Sequence, residues 1–200
     1  MQNLAIFPLF YLPPVSYFTL LKESNFEFFL EKFEHFPKQT YRNRASIASP
    51  NGTLDLAVPV VKGAKIRTVY KDVKISYESR WQRLHWLSLQ NCYRSSAYFE
   101  FYEDGLASFY EKKYDFLFDY NVELFSWLLK QLKMPADLKF TERYELEVPT
   151  DYRSTMGKKE VPKIQTKPYF QVFSDRNEFI PNLSIVDLLF NQGPQAKNYF

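Results

Sequence analysis

The stretch from Leu4 to Phe33 constrains this chain more than any other. Leu4 to Tyr11 is a continuous apolar run broken only by Pro8, the pattern of a buried strand that ends in a proline-stiffened loop. Ser16 then opens Tyr17-Phe18-Thr19-Leu20-Leu21, a short helix. Asn25 to Phe33 mixes aromatic and acidic residues and reads as a second strand. Strand, loop, helix and strand in this order make a βαβ-like unit. Pro13 and Pro14 then fall at the carboxyl end of the first strand, where open α/β sheets place their ligands.

Further along, Ala45-Ser46-Ile47 and Leu54-Asp55-Leu56-Ala57-Val58 flank Ser49-Pro50-Asn51-Gly52. An Asn-Gly pair between extended segments predicts a tight β-hairpin. Lys62 to Lys65 forms a basic, glycine-containing loop, and Val69 to Tyr77 alternates like another strand. From Trp81 the periodicity becomes helical, through Leu84, Leu87, Cys92 and Tyr93, then Tyr98 to Tyr102 and Phe109-Tyr110. Asn121 to Lys133 predicts an amphipathic helix stopped by Pro135. Leu138 to Leu146 reads as a return to the sheet, Pro149 to Pro168 as a mobile loop holding Met156-Gly157-Lys158-Lys159, and Tyr169 to Phe173 as a last strand. No internal repeat or shift in composition marks a second domain. The expected architecture is α/β: a mixed sheet with an N-terminal βαβ-like unit, a β-hairpin and a helical C-terminal half, in one domain over residues 1–200.

Composition narrows the function classes. Hydrophobic residues make up 46% of the chain and aromatics 19%, which is ample for a core and excludes wholesale disorder. A net charge of +3 is too small to argue for a nucleic-acid binder, and nucleic acid is not the expected partner. The lone Cys92 excludes an internal disulfide, and two His with one Cys cannot build a Cys-rich or three-His metal site. The apolar N-terminus lacks a basic n-region and a small-x-small cleavage site, and no run of about 18 apolar residues suits a membrane helix. The expectation is a cytoplasmic protein without membrane insertion. With five Gly in the chain, Gly-rich phosphate loops are absent, as are G-x-S-x-G and H-E-x-x-H.

Three constellations remain. Arg42 and Arg44, two residues apart in Thr40-Tyr41-Arg42-Asn43-Arg44, point the same way on a strand, and paired guanidinium forks suit phosphate or carboxylate. The competing reading is a solvated basic edge that deters strand aggregation. His85 lies four residues after Trp81 on one helical face. It is open to reading as a general acid or base, or as a core-edge His packed on indole. Asp187 stands three residues after Ser184, the spacing of a capping box at a helix start, and Gly193-Pro194 marks the stop.

Taken in order, Tyr11-Leu12-Pro13, Tyr17-Phe18, Tyr41-Arg42-Asn43-Arg44, Ile47, Asn51-Gly52, Leu56 and Val58-Pro59-Val60 resemble the WbqC-like family. Trp81 with His85, Tyr93, Tyr98-Phe99 and the closing Leu183-Ser184-Ile185-Val186-Asp187-Leu188-Leu189-Phe190-Asn191 extend the resemblance over nearly the whole chain. The family is broadly bacterial and often encoded among genes for O-antigen or capsule synthesis. What the resemblance implies is a transferase-type enzyme of surface-polysaccharide biosynthesis acting on a small anionic or nucleotide-linked substrate. It assigns His85 and Asp187 as catalytic, and Tyr11, Pro13, Tyr41, Arg42, Asn43, Arg44 and Trp81 as substrate-binding. No metal or particular cofactor is indicated, and homo-oligomerisation stays open. Where family members commonly carry a His-Gln-Pro-containing loop, this chain has Phe7-Pro8-Leu9-Phe10, a departure that keeps a non-catalytic ligand-binding or partner protein as the alternative.

Overall fold

The opening segment folds as its apolar pattern dictates. In the computed structural model, which describes residues 5–61, 68–154, 164 and 166–200, strand β1 (Ala5–Pro8) leads through a loop into helix α1 (Val15–Glu23) and parallel strand β2 (Phe28–Glu31). Pro14 is extended at the N-cap of α1, as a residue locked near this φ permits. Asn25 and Phe26, both at positive φ, turn the chain out of the helix and into β2. A third, two-residue parallel strand, β5 (Thr150–Asp151), pairs with the other edge of β1. The sheet order is therefore β2-β1-β5, with β1 central.

The hairpin forms a second, separate sheet. Strand β3 (Arg44–Ser49) pairs antiparallel with β4 (Gly52–Ala57), in register from Arg44 opposite Ala57 to Ser49 opposite Gly52. Gly52 has φ +101, the backbone an Asn-Gly turn needs. Parallel and antiparallel strands are thus both present, divided between two small sheets, and the class is α/β. The helical part follows as α2 (Trp81–Tyr93), α3 (Phe99–Glu111), α4 (Leu117–Gln131) and α5 (Ile185–Gln192). One hydrophobic core joins β1, α1, the hairpin and these helices, with Phe7, Phe10, Tyr11, Tyr17, Tyr93 and Phe190 among its fully buried side chains.

Several expected strands resolve differently. Val69 to Tyr77 is a short 3₁₀ turn at Tyr70–Asp72 followed by single bridges. The Tyr70 ring is drawn inward, where its hydroxyl donates to Leu9 O at 2.9 Å, and this breaks any regular ladder. In Leu138–Leu146 only Phe140 bridges to Leu30. Tyr169 to Phe173 is not a strand: 169–171 pair with neither sheet and 172–173 turn, while the Tyr169 and Gln171 side chains reach a buried carboxylate. The expected loop at Lys62–Lys65 and the Met156–Lys159 part of the expected Pro149–Pro168 loop lie outside the described residues, while the start of the latter is not loop but strand β5 and the buried Arg153. Among the described residues no helix is long and apolar enough to cross a membrane.

Candidate active site

The chain leaves β1 toward β2 on one side and returns to β5 on the other, so the carboxyl end of β1 is the topological switch point of the parallel sheet. The loop there runs Leu9 to Pro14. Leu12, completely buried, adopts φ +41, a left-handed conformation that costs a branched residue about 1 kcal/mol or more. The closing segment holds it in place. Ser184 Oγ donates to Leu12 O at 2.9 Å, Ile185 N to Pro13 O at 2.8 Å, and Val15 N to Leu183 O at 3.0 Å. Pro13 thus serves through its carbonyl, and the L-S-x-x-D-L-L segment latches the strained loop.

This loop aims Tyr11 between α2 and α3. The Tyr11 hydroxyl lies 3.0 Å from His85 Nδ1 on α2 and 2.8 Å from the Tyr110 hydroxyl on α3. Burial holds the His85 pKa down at about 4, against a smaller upward pull from a hydrogen bond to the Ala57 backbone. The ring is therefore neutral at pH 7. The Tyr11 hydroxyl thus sits between a neutral imidazole and a second phenol, within hydrogen-bond distance of both. Tyr110, Tyr11 and His85 therefore form a relay of two phenols ending on an imidazole. Burial, followed by the neighbouring phenols Tyr110 and Tyr120, raises the pKa of Tyr11 far above the ordinary phenol range.

An aromatic shell fixes the relay. Trp81 meets His85 edge-on at 5.2 Å between centroids and Tyr120 at 5.8 Å, while Tyr120 stacks on Tyr11 at 5.9 Å. Trp81 Nε1 is buried with no hydrogen-bond partner among the described residues. A buried donor without an acceptor is rare in a folded chain. Three of the sequence-predicted residues, Tyr11, Trp81 and His85, are thus brought together. Tyr110 and Tyr120 complete the group. Sequence reasoning had placed Tyr110 in a helical aromatic pattern, but only the packing of α3 and α4 on Tyr11 reveals either phenol as part of it.

The remaining predicted residues serve elsewhere. Arg42 does not share a strand face with Arg44: it lies in the turn before β3 and is 2% exposed. Its Nε and Nη2 each donate to the Glu34 carboxylate at 2.6 Å, and Nη2 also donates to Arg153 O at 3.1 Å. The expected two-arginine clamp therefore does not form, because desolvating Arg42 without an anion would be prohibitive. Tyr41 is buried and accepts Tyr11 N through its carbonyl at 2.9 Å. Asn43 Nδ2 donates to Val58 O at 3.0 Å and closes the base of the hairpin. Arg44, at the start of β3, stays partly accessible, and its buried Nε has no partner among the described residues. It sits opposite Ala57, the residue whose backbone touches His85.

Asp187 is far from this relay in role. Ser184 is the N-cap of α5 and accepts from Val186 N, as the capping spacing predicts. The Asp187 side chain, however, does not close a capping box. Its carboxylate is fully buried and accepts from the Tyr93 and Tyr169 hydroxyls at 2.7 Å each and from Gln171 Nε2 at 3.3 Å. Burial raises its pKa against the downward pull of these donors. Asp187 ties α2, α5 and the 169–171 segment together. Among the described residues, no group of three or more His, Cys, Asp and Glu is placed to hold a metal ion.

No solved structure matches this chain. The uncharacterized protein Rv1507c of Mycobacterium tuberculosis is 27% identical over an alignment of 231 residues, which covers 100% of this chain and 97% of that protein. The model of the WbqC-like protein family matches residues 10–158 and 149–199. These matches take in the strained loop, the hairpin, the relay and the closing latch, and the chain belongs to the WbqC-like family.

Proposed function

We propose that this protein is a group-transfer enzyme in which His85 moves the proton, acting on an activated sugar or related anionic precursor of a surface polysaccharide. The observation that carries the reading is the Tyr110–Tyr11–His85 relay at the switch point, hung from a strained loop. A neutral imidazole is the form a general base needs. Strain concentrated beside a proton-carrying chain is what a preorganised site exhibits. Arg44, rather than Arg42, is the guanidinium available to an anion, because Arg42 is committed to Glu34. The family's association with O-antigen and capsule genes supplies the substrate class.

Calorimetry against a panel of UDP-, GDP-, CMP- and dTDP-linked sugars tests the reading. For any member that binds, Arg44→Met weakens affinity by about tenfold, the loss of one charge-assisted contact. His85→Gln keeps affinity within a factor of about three but abolishes rescue of a deletion strain. A second reading, ligand binding without catalysis, is favoured by the 6% exposure of His85 and the hydrogen bond that already occupies its Nδ1. A folded His85→Gln protein that restores the polysaccharide would establish that second reading and remove the first.

A further inference from the structure

Helices α2 and α3 form a hairpin whose outer face is divided by charge. Gln82 Nε2 donates to Lys112 O at 2.6 Å and Gln90 Nε2 to Glu103 Oε1 at 2.9 Å. The helices therefore run antiparallel, with the start of α2 level with the end of α3. Trp86 stacks between Phe99 and Tyr110, at 6.1 and 5.7 Å between centroids, and fixes the pair from within. On the side of α2 turned away from the buried His85, Arg80, Leu84, Leu87 and Arg94 recur at helical spacing with Arg83 beside them. The three arginines are exposed, and Leu84 and Leu87 are 60% and 40% exposed. No acid lies in α2. On α3, Glu100, Asp104 and Glu111 are all exposed and share one face, and no Lys or Arg lies in that helix. Lys112, which follows α3, is drawn off to Glu123 on α4 at 3.1 Å.

The two stripes are little used by each other. Between the helices one ion contact is made among the described residues, Arg94 Nη2 to Glu103 Oε1 at 3.9 Å, and Arg80, Arg83, Glu100, Asp104 and Glu111 enter none. An anionic surface attracted to α2 would be repelled by α3 one helix away, and a cationic surface by the reverse. The complement of a basic helix beside an acidic helix is the same pair turned over.

We propose that this face pairs with the same face of a second copy of the chain. Two kinds of two-fold axis can lie in the face. An axis across the helices lays α2 on α2 and sets arginine against arginine. An axis along the helices lays each α2 antiparallel on the α3 of the second copy, and this is the arrangement the charges select. Arg83 then lies level with Glu111 of the second copy and Arg94 with its Glu100, while Leu84 and Leu87 close the middle against the small residues Ala107 and Ser108. Two helices of 13 residues, each about 20 Å long and 10 Å across, offer a face of about 400 Å². That is less than the ~800 Å² per partner of a standard stable interface, so the dimer is weak and depends on concentration.

Sedimentation velocity of the full chain at concentrations from about 1 to 500 μM tests this. A reversible monomer–dimer equilibrium is expected, with a Kd of about 10–100 μM. One variant carries Arg83→Glu with Arg94→Glu, and another Glu100→Lys with Glu111→Lys. Each sets like charges against each other at both ends and weakens self-association at least about tenfold. Mixed in equal amounts, the two variants recover the dimer, because every α2 again meets an α3 of opposite sign. All four positions are exposed, so both variants keep the circular dichroism of the native chain. Leu87→Asp, a single exposed change, is an independent check and also weakens the dimer at least about tenfold. A native chain that stays monomeric throughout, reversed variants or Leu87→Asp that dimerise like the native chain, or a mixture that stays monomeric would each overturn the proposal. Because the readout is self-association, failure here is separate from failure of the His85 reading, which shows in rescue.

Discussion

A neutral imidazole inside a protein carries a pH signature. His85 titrates near 4 in the folded chain because burial penalises its charged form, whereas in the unfolded chain it takes the ordinary value of about 6.5. Between these limits the unfolded state binds the extra proton, so stability rises with pH. The contribution is complete above about pH 6.5 and is lost on acidification toward 4, at a total of about 3 kcal/mol. Glu34 and Asp187 act with the opposite sign. Burial raises both carboxyls, so the folded state keeps protons that the unfolded state has shed, and stability falls as pH rises through the carboxylate range. Urea midpoints measured at steps from pH 7 to pH 4 separate the two effects. The native chain loses stability steeply between 6.5 and 4, and His85→Gln flattens that slope. An unchanged slope in His85→Gln would mean that the ring is not held neutral.

The elements differ in how much of their placement the sequence carried. The βαβ unit and the hairpin were legible because a continuous apolar run, proline breaks and Asn-Gly are local signals, and the turn geometry follows from backbone sterics alone, whereas the alternation of Val69–Tyr77 misled because the inward Tyr70 side chain overrides it. The Ser184 cap and the Gly193 stop were legible for the same reason. The partners of Arg42 and Asp187 were not. Each side chain is satisfied by residues remote in sequence, Glu34 and Arg153 for one and Tyr93, Tyr169 and Gln171 for the other, and no spacing rule reports that. Among the described residues, two positive-φ glycines show how position within an element sets cost. At Gly52, φ +101, an added Cβ would meet nothing within 4 Å, so Gly52→Ala pays only backbone strain of about 1 kcal/mol. At Gly193, φ +53, a Cβ would stand 2.5 Å from Tyr98 Cδ1. Since Tyr98 N also donates to Phe190 O at 2.9 Å, the ring cannot easily retreat. Gly193→Ala is expected to cost about 3 kcal/mol or more, from strain and overpacking together. Thermal melts of the two variants check this, and similar losses in both would contradict it.

At the scale of the whole molecule, the charged network beyond the carboxyl edge of the sheet decides how the parts hold together. Glu31, at the end of β2 and fully buried, accepts from Arg153 Nη1 at 2.9 Å and Thr141 Oγ1 at 2.9 Å. Arg153 also forks onto Asp151, with Nη2 at 2.6 Å from Oδ2. Arg42 joins Glu34 to the Arg153 carbonyl and lies 5.7 Å above the Phe10 ring. One linked set of charges thus ties β2, the turn before β3, the β1 loop and the segment after β5. Burial keeps the Glu34 pKa raised even with the Arg42 guanidinium against it, so desolvation outweighs the attraction and the pair specifies geometry more than it stabilises. That balance sets a clear expectation. Arg42→Met strands a carboxylate in the core and costs about 3–5 kcal/mol at pH 7, and its deficit shrinks on acidification as Glu34 takes up a proton. Combining Arg42→Met with Glu34→Leu removes both charges and recovers most of the loss. Urea unfolding of the two single variants and the double closes the cycle. If the double variant is as unstable as the sum of the singles, the pair is not coupled. A loss of function in Arg42→Met that is repaired in the double variant then belongs to folding and not to an arginine that holds substrate.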